Sequence, residues 1–262
     1  MANKRSDEEA MASRTFVSAF ARGLAAIEAF GPENRTMTVA DMAENLGVDR
    51  AVARRLLLTL VQLGYAHVHN RRFELTTKVL RLANSFLASA GLGTSLQPIL
   101  DGAARRIGET VSLSVLDETD VVFVARSDVP GRRLSYVVTA GMRLPAFTAA
   151  SGRVLLAQRP FAEVHALLAR TQIKRLTRRT ILNKREIMAQ IGRARNDGYS
   201  INDQEIEDGV VSISLPVFNR SAVAVAAINA SSGIARANDA RLKGEVKQQL
   251  GLAAEELARM LP

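Results

Sequence analysis

The chain has no cysteine among its 262 residues, which excludes disulfides, thiolate metal ligands and cysteine nucleophiles outright. Histidine is scarce, with three in all. His67 and His69 share one face of a short strand with no third ligand near in sequence, and His165 stands alone on a helical stretch, so no metal site is expected. No apolar run approaches the roughly 18 residues of a membrane span. The stretch 210–230 is broken by Pro216 and by Asn219-Arg220-Ser221. Residues 1–13 are polar and mixed in charge, unlike a secretory signal, and read as a mobile tail. A cytoplasmic protein with no membrane partner is expected. Motifs for phosphate or nucleophile chemistry are missing too. Gly91 and Gly93 are followed by Leu96 where a dinucleotide loop needs a third glycine, and there is neither a Gly-x-Ser-x-Gly nor a Walker loop. No catalytic residue and no cofactor are expected.

What is present is apolar and basic. Hydrophobic residues make up 47% of the chain, enough for packed cores rather than disorder, and the length suits two domains better than one. The formal net charge of +9 suits a polyanionic partner. Its distribution says more. Residues 50–81 hold seven Lys or Arg against one acid, Glu74, and residues 170–185 hold seven against none. The second run reads as a solvated basic face, ahead of a second phosphate contact or a subunit contact.

Residues 38–46 carry apolar side chains at Val39, Met42, Ala43 and Leu46, the spacing of an amphipathic helix. Thr38 can cap it, with Asp41 three residues on as an imperfect capping box. Gly47 supplies a tight turn and Asp49 a second N-cap. The helix that follows, to about Leu63, is expected to bury Val52, Leu56, Leu60 and Leu63. Arg50, Ala51, Arg54 and Arg55 crowd its first turns. A recognition helix reads base edges with its N-terminal residues, and Arg suits bidentate contact with guanine or phosphate. Gly64 ends the helix. Residues 65–69 and 73–75 then form a hairpin around the basic tip Asn70-Arg71-Arg72, a wing. An ordinary helical hairpin whose arginines only keep a surface hydrated is the bland reading of a helix–Gly–helix. Turn, cap, front-loaded arginines and basic hairpin together point instead to double-stranded DNA, met through Thr38, Arg50, Ala51, Arg54, Arg55, Arg71 and Arg72.

Residues 14–30 predict a helix with Phe16, Phe20, Leu24 and Ile27 on its apolar side, completing a winged helix-turn-helix domain over 14–76. Thr76 or Thr77 caps a further helix, apolar at Val79, Leu80, Ala83, Phe86 and Leu87, which is expected to link and dimerise over 77–93. From 94 to 262 the pattern becomes α+β. Helices are expected at 96–107, 149–157, 161–170, 184–197 and 238–260, and strands at 110–116, 121–126, 134–138, 210–217 and 222–230. Strands in runs flanked by helices argue for a mainly antiparallel sheet.

Taken together, these residues resemble the IclR-type bacterial transcriptional regulators over essentially the whole chain after the tail. The resemblance rests on the winged helix-turn-helix, on Arg143-Leu144-Pro145 followed by Ala-Ser-Gly-Arg-Val-Leu-Leu-Ala at 150–157, and on Gly198-Tyr199 leading to Asp208-Gly209 and 210–216. It implies a linker helix, a GAF-like effector-binding domain, and assembly as a homodimer or homotetramer on a roughly palindromic operator. Segments 16–30 and 38–65 look most like the branch that controls protocatechuate and 4-hydroxybenzoate breakdown, whose effectors are small aromatic or dicarboxylic acids.

In that family the effector lies against the inner face of the sheet. Carried over position by position, the resemblance implies contacts from Ala150, Ser151, Gly152, Asn202, Ser212, Asn229 and Ser231. Helix N-terminal N–H groups, hydroxyls and amides suit a small acid. Asn202 stands where an acidic residue often lies and Ser212 where a cysteine can occur; both changes make the pocket less negative, which favours an anionic effector. Arg126 and Arg143 are candidates for a carboxylate clamp, though a surface or interface position suits them better. Asp203, Glu205, Glu207 and Asp208 cluster in one loop and read as solvated. The expectation is an effector-responsive regulator of aromatic-acid catabolism. The alternative is a hydrolase or transferase domain with a helical appendage, which needs a paired nucleophile and base that no motif supplies.

Overall fold

In the computed structural model the described residues are 16–31, 33–89, 96–131 and 139–261, without the side chains of Leu87 and Ser89. The tail expected at 1–13, the glycines Gly91 and Gly93 and the strand expected at 134–138 lie outside them. The chain divides into two compact units, with the boundary after Phe86. No helix among the described residues is long and apolar enough to cross a membrane.

The first unit packs α1 (Ser18–Glu28), α2 (Val39–Leu46) and α3 (Arg50–Gln62) under a hairpin of β1 (Ala66–His69) and β2 (Arg72–Leu75). Its core is small: Ala26, Met42, Ala53, Leu57, Leu60 and Phe73 lie within it. α2 starts in a complete capping box, with Thr38 N–H donating to Asp41 Oδ2 at 2.8 Å and Asp41 N–H donating to Thr38 Oγ1 at 3.2 Å. The bond from Thr38 N–H, helped by the Thr38 hydroxyl, holds the Asp41 carboxyl below its ordinary pKa. Gly47 closes α2 at φ +62°, a left-handed cap that a Cβ would strain.

Two expected faces are corrected. α3 buries Ala53, Leu57 and Leu60, whereas Val52 and Leu56 are only half-buried and Leu63 is 53% exposed. Its apolar residues form a band wider than one stripe, so periodicity does not select the face. Before and along α1, Phe16, Phe20 and Leu24 are exposed, whereas Ile27 packs against the core as expected and Ala26 is the residue fully buried.

After β2, Thr76 caps a 3-10 turn, Thr77–Val79, which leads into α4 (Leu80–Ser89).

The second unit is built on one six-stranded antiparallel sheet, in the order β5-β4-β3-β8-β7-β6. The strands are β3 (Thr110–Asp117), β4 (Asp120–Ser127), β5 (Arg143–Pro145), β6 (Ser200–Asp203), β7 (Val210–Phe218) and β8 (Ala224–Gly233). β5 and β6 were not expected as strands; both are short edge strands, too brief for alternation to register. One face is covered by α5 (Gln97–Ile107) and α9 (Lys247–Met260), through a core that includes Leu100, Leu113, Ile213, Leu250 and Leu257. The helix expected over 238–260 is interrupted by a π-helical turn, Leu242–Val246. Beside it, buried Glu109 accepts from Arg236 at 2.9 Å and Arg241 at 3.0 Å, fastening this end of the chain to the start of β3.

The opposite face carries α6 (Ala150–Leu156), α7 (Phe161–Arg170) and α8 (Lys184–Asp197), over Phe123, Phe147, Leu156, Leu168 and Ile187. This α+β arrangement is the one the sequence pattern indicated.

Candidate nucleic-acid interface and ligand cleft

In the first unit, Thr38, Arg50, Arg54 and Arg71 line one open concave surface together with Val68 and Phe73. Asp49 presents the arginines by capping α3, its carboxylate accepting from Val52 N–H at 2.8 Å. Arg50, Ala51, Arg54 and Arg55 are exposed over the first turns, although Ala51 and Arg55 lie outside the lining of that surface. Thr38 Oγ1 accepts within the capping box. The β1–β2 hairpin pairs His69 with Arg72 across a two-residue turn. Asn70 and Arg71 both sit at positive φ, 48° and 62°, as the strand twist in such tight hairpins requires. Arg72 turns back onto the body of this unit, donating to Thr36 O at 3.4 Å and Thr36 Oγ1 at 3.3 Å. Of the two wing arginines, Arg71 is thus the one at the tip.

In the second unit, a narrow cleft of about 50 Å³ lies between the sheet and the start of α6. Ala150, Ser151, Asn202, Ser212, Asn229 and Ser231 all line it, with Phe123, Leu144, Ile206 and Val210 as apolar walls. The polar floor follows from register: Ser212 pairs with Ser231 and Ser214 with Asn229 between β7 and β8, and directly paired residues share a face. Asn229 Nδ2 donates to Ser231 Oγ at 2.9 Å. Asn202 is tied into the frame, donating to Thr148 O at 2.7 Å and accepting from Glu205 N–H at 3.1 Å.

Gly152 does not line the cleft. A Cβ there would lie 2.1 Å from Ala146 O and 2.3 Å from Ala146 Cα, so glycine is what lets α6 close on the preceding backbone. Arg126 and Arg143 also lie outside the lining. Arg126 pairs with Asp128 at 2.6 Å. Arg143 bridges Asp117 at 2.6 Å and Asp120 at 3.2 Å, and the Asp117 hydrogen bond foremost raises its pKa.

Sequence reasoning missed the frame behind the cleft. The Arg153 side chain is fully buried and meets Glu205 through two bonds of 2.6 and 2.7 Å, while its Nε donates to Phe147 O at 3.0 Å. Glu205, expected in a solvated run, is 5% exposed; the reason is this bidentate partner, without which a buried carboxylate is costly. Buried Thr177 and Thr180 donate to Gln204 O at 2.7 Å and Glu205 O at 2.8 Å. The basic run 170–185, expected as a solvated face, therefore has a buried side that clamps the loop before β7. One signal was present: a lone Arg inside the apolar run of α6 is almost never fully buried unless paired. No group of acidic or histidine side chains able to hold a metal occurs among the described residues.

A winged helix-turn-helix carried in one chain with a unit holding a polar-floored cleft is the build of a DNA-binding transcriptional regulator. Residues 19–69 match the IclR helix-turn-helix domain and residues 84–259 match the bacterial transcriptional regulator IclR C-terminal domain, so the chain belongs to the IclR family. It is 34% identical to the Pca regulon regulatory protein of Pseudomonas putida, over 94% of this chain and 84% of that protein. It is also 34% identical to the p-hydroxybenzoate hydroxylase transcriptional activator of Acinetobacter baylyi, over 100% of this chain and 97% of that protein. Among solved structures, a transcriptional regulator from Rhodococcus sp. RHA1 superimposes with a TM-score of 0.83 at 40% identity, covering 94% of this chain and 98% of its own.

Proposed function

We propose that the chain is a cytoplasmic repressor or activator of aromatic-acid catabolism that binds a palindromic operator as a homodimer or pair of dimers and responds to a small aromatic acid. The observation that carries the reading is the cleft, with apolar walls at Phe123, Leu144, Ile206 and Val210 and a hydroxyl-and-amide floor at Ser212, Asn229 and Ser231. Apolar walls suit a flat ring and a hydroxyl-and-amide floor suits a carboxylate. The relatives named for the pca regulon and for p-hydroxybenzoate hydroxylase agree with that class. Self-association is supported by the apolar side chains that the first unit leaves exposed, Phe16, Phe20 and Leu24 before and along α1 and Leu80 and Phe86 on α4. In this reading α4 is part of the linker, and catalysis has no role.

On DNA, Arg50, Arg54 and Arg55 would meet bases or phosphates and Arg71 the flanking backbone or minor groove. The test is operator binding by fluorescence anisotropy across a salt series. Arg54→Ala and Arg71→Ala should weaken binding, and a substitution that leaves a phosphate unneutralised should lower the log–log salt slope by about one for each such phosphate. Binding by both variants indistinguishable from the parent would remove this surface from the DNA.

A further inference from the structure

Resting on the aromatic-acid reading above, the cleft carries a feature that neither composition nor the family resemblance assigns. Among its described lining residues, Glu207 is the one ionisable side chain. It is half-buried, and its carboxylate takes part in none of the side-chain hydrogen bonds or ion pairs of the described residues. Its neighbours in the same loop are engaged: Glu205 is held by Arg153 and Asp203 by Arg179. The loop itself is fixed from behind by Thr177 and Thr180. Glu207 is thus a negative charge held at the cleft by a braced backbone, with its acceptor oxygens unused.

Register sets where it acts. The loop delivers Glu207 to the end of the sheet where Val210 pairs with Gly233, whereas Asn229 lies opposite Ser214, four residues further along β7. At the rise of a strand this separates the two ends by roughly 13 Å. A bound acid directs its carboxylate away from Glu207, past the Ser212–Ser231 pair that lies midway and toward Asn229, because two carboxylates repel. The group it turns toward Glu207 must then be a hydrogen-bond donor. We infer that Glu207 reads a hydroxyl on the effector ring, which makes the site selective for hydroxylated aromatic acids over the same acids without a hydroxyl.

A hydrogen bond to an ionised acceptor is among the stronger kinds, and a site built to bond a hydroxyl discriminates against the analogue that lacks it. The difference corresponds to about tenfold to a hundredfold in affinity. Calorimetric titration of the full-length protein with 4-hydroxybenzoate, 3,4-dihydroxybenzoate and benzoate tests this. At least one hydroxylated acid should bind the parent ten times or more tighter than benzoate. Glu207→Ala should bring that ratio below about threefold, and Glu207→Gln, which keeps a neutral acceptor oxygen, should fall between. A thermal melt like the parent's certifies the fold of each variant. If Glu207→Ala keeps the parent's preference, or the parent binds benzoate as tightly as its hydroxylated forms, the assignment of Glu207 is overturned. If none of the three acids binds the parent, the aromatic-acid reading itself fails and this inference with it.

Discussion

Gly152 shows how a single absent side chain sets the geometry of the second unit. The space a Cβ would need is occupied by the backbone of Ala146, at 2.1 Å from its oxygen, and backbone cannot swing aside as a flexible side chain can. Gly152→Ala should therefore push α6 off the chain before it and cost about 1–3 kcal/mol, read as a lower urea midpoint. The same displacement would move Ala150 and Ser151 in the cleft, so ligand affinity should fall with stability. An unchanged midpoint would mean that α6 shifts freely. Gly152 was singled out in the sequence as a ligand contact implied by resemblance; its steric reason was invisible because Ala146 approaches only when α6 folds back. Arg153 was illegible for a like reason, since its partner Glu205 lies 52 residues away.

At the scale of elements, local chemistry carried furthest. The capping box at Thr38 and Asp41 and the cap at Asp49 involve residues three apart, a separation that sequence shows directly. Asp49→Ala should cost about 1 kcal/mol and loosen the first turn of α3, which presents Arg50 and Arg54. Denaturation followed by circular dichroism measures the first effect, and a stability change near zero would show that α3 is held at its start by other contacts. The buried face of α3 was misread because seven Leu and Val residues between 52 and 63 surround much of the helix, and only docking against α1 and α2 selects among them. β5 and β6 escaped notice because strands of three and four residues depend on a neighbour for their hydrogen bonds.

For the whole molecule, regulation requires that ligand in the second unit and DNA on the first influence each other. Such coupling is a reciprocal free energy, typically about 1–3 kcal/mol. Measured affinity for a hydroxylated aromatic acid should thus differ by about five- to 150-fold between the free protein and the protein saturated with operator. Equal affinities would remove the coupling, whatever the strength of either interaction alone. Mass action gives a companion signal: a ligand at about a hundred times its Kd should stabilise the protein by roughly 2.7 kcal/mol.

Sequence alone determined the order of parts: a helix-turn-helix with a basic wing ahead of an antiparallel sheet flanked by helices. These follow from caps, turns and periodicities that act within a few residues, where chain connectivity already enforces proximity. It also determined, through the family motifs, six residues that the fold gathers around one cleft: Ala150, Ser151, Asn202, Ser212, Asn229 and Ser231. Tertiary structure alone decided which carboxylates are buried and which are free to meet a ligand. Asp203, Glu205 and Glu207 are near neighbours of one chemical type, yet Glu205 is locked to Arg153, Asp203 is paired with Arg179, and Glu207 lines the cleft. Burial and pairing depend on partners from distant segments, and only the folded chain brings those partners within reach.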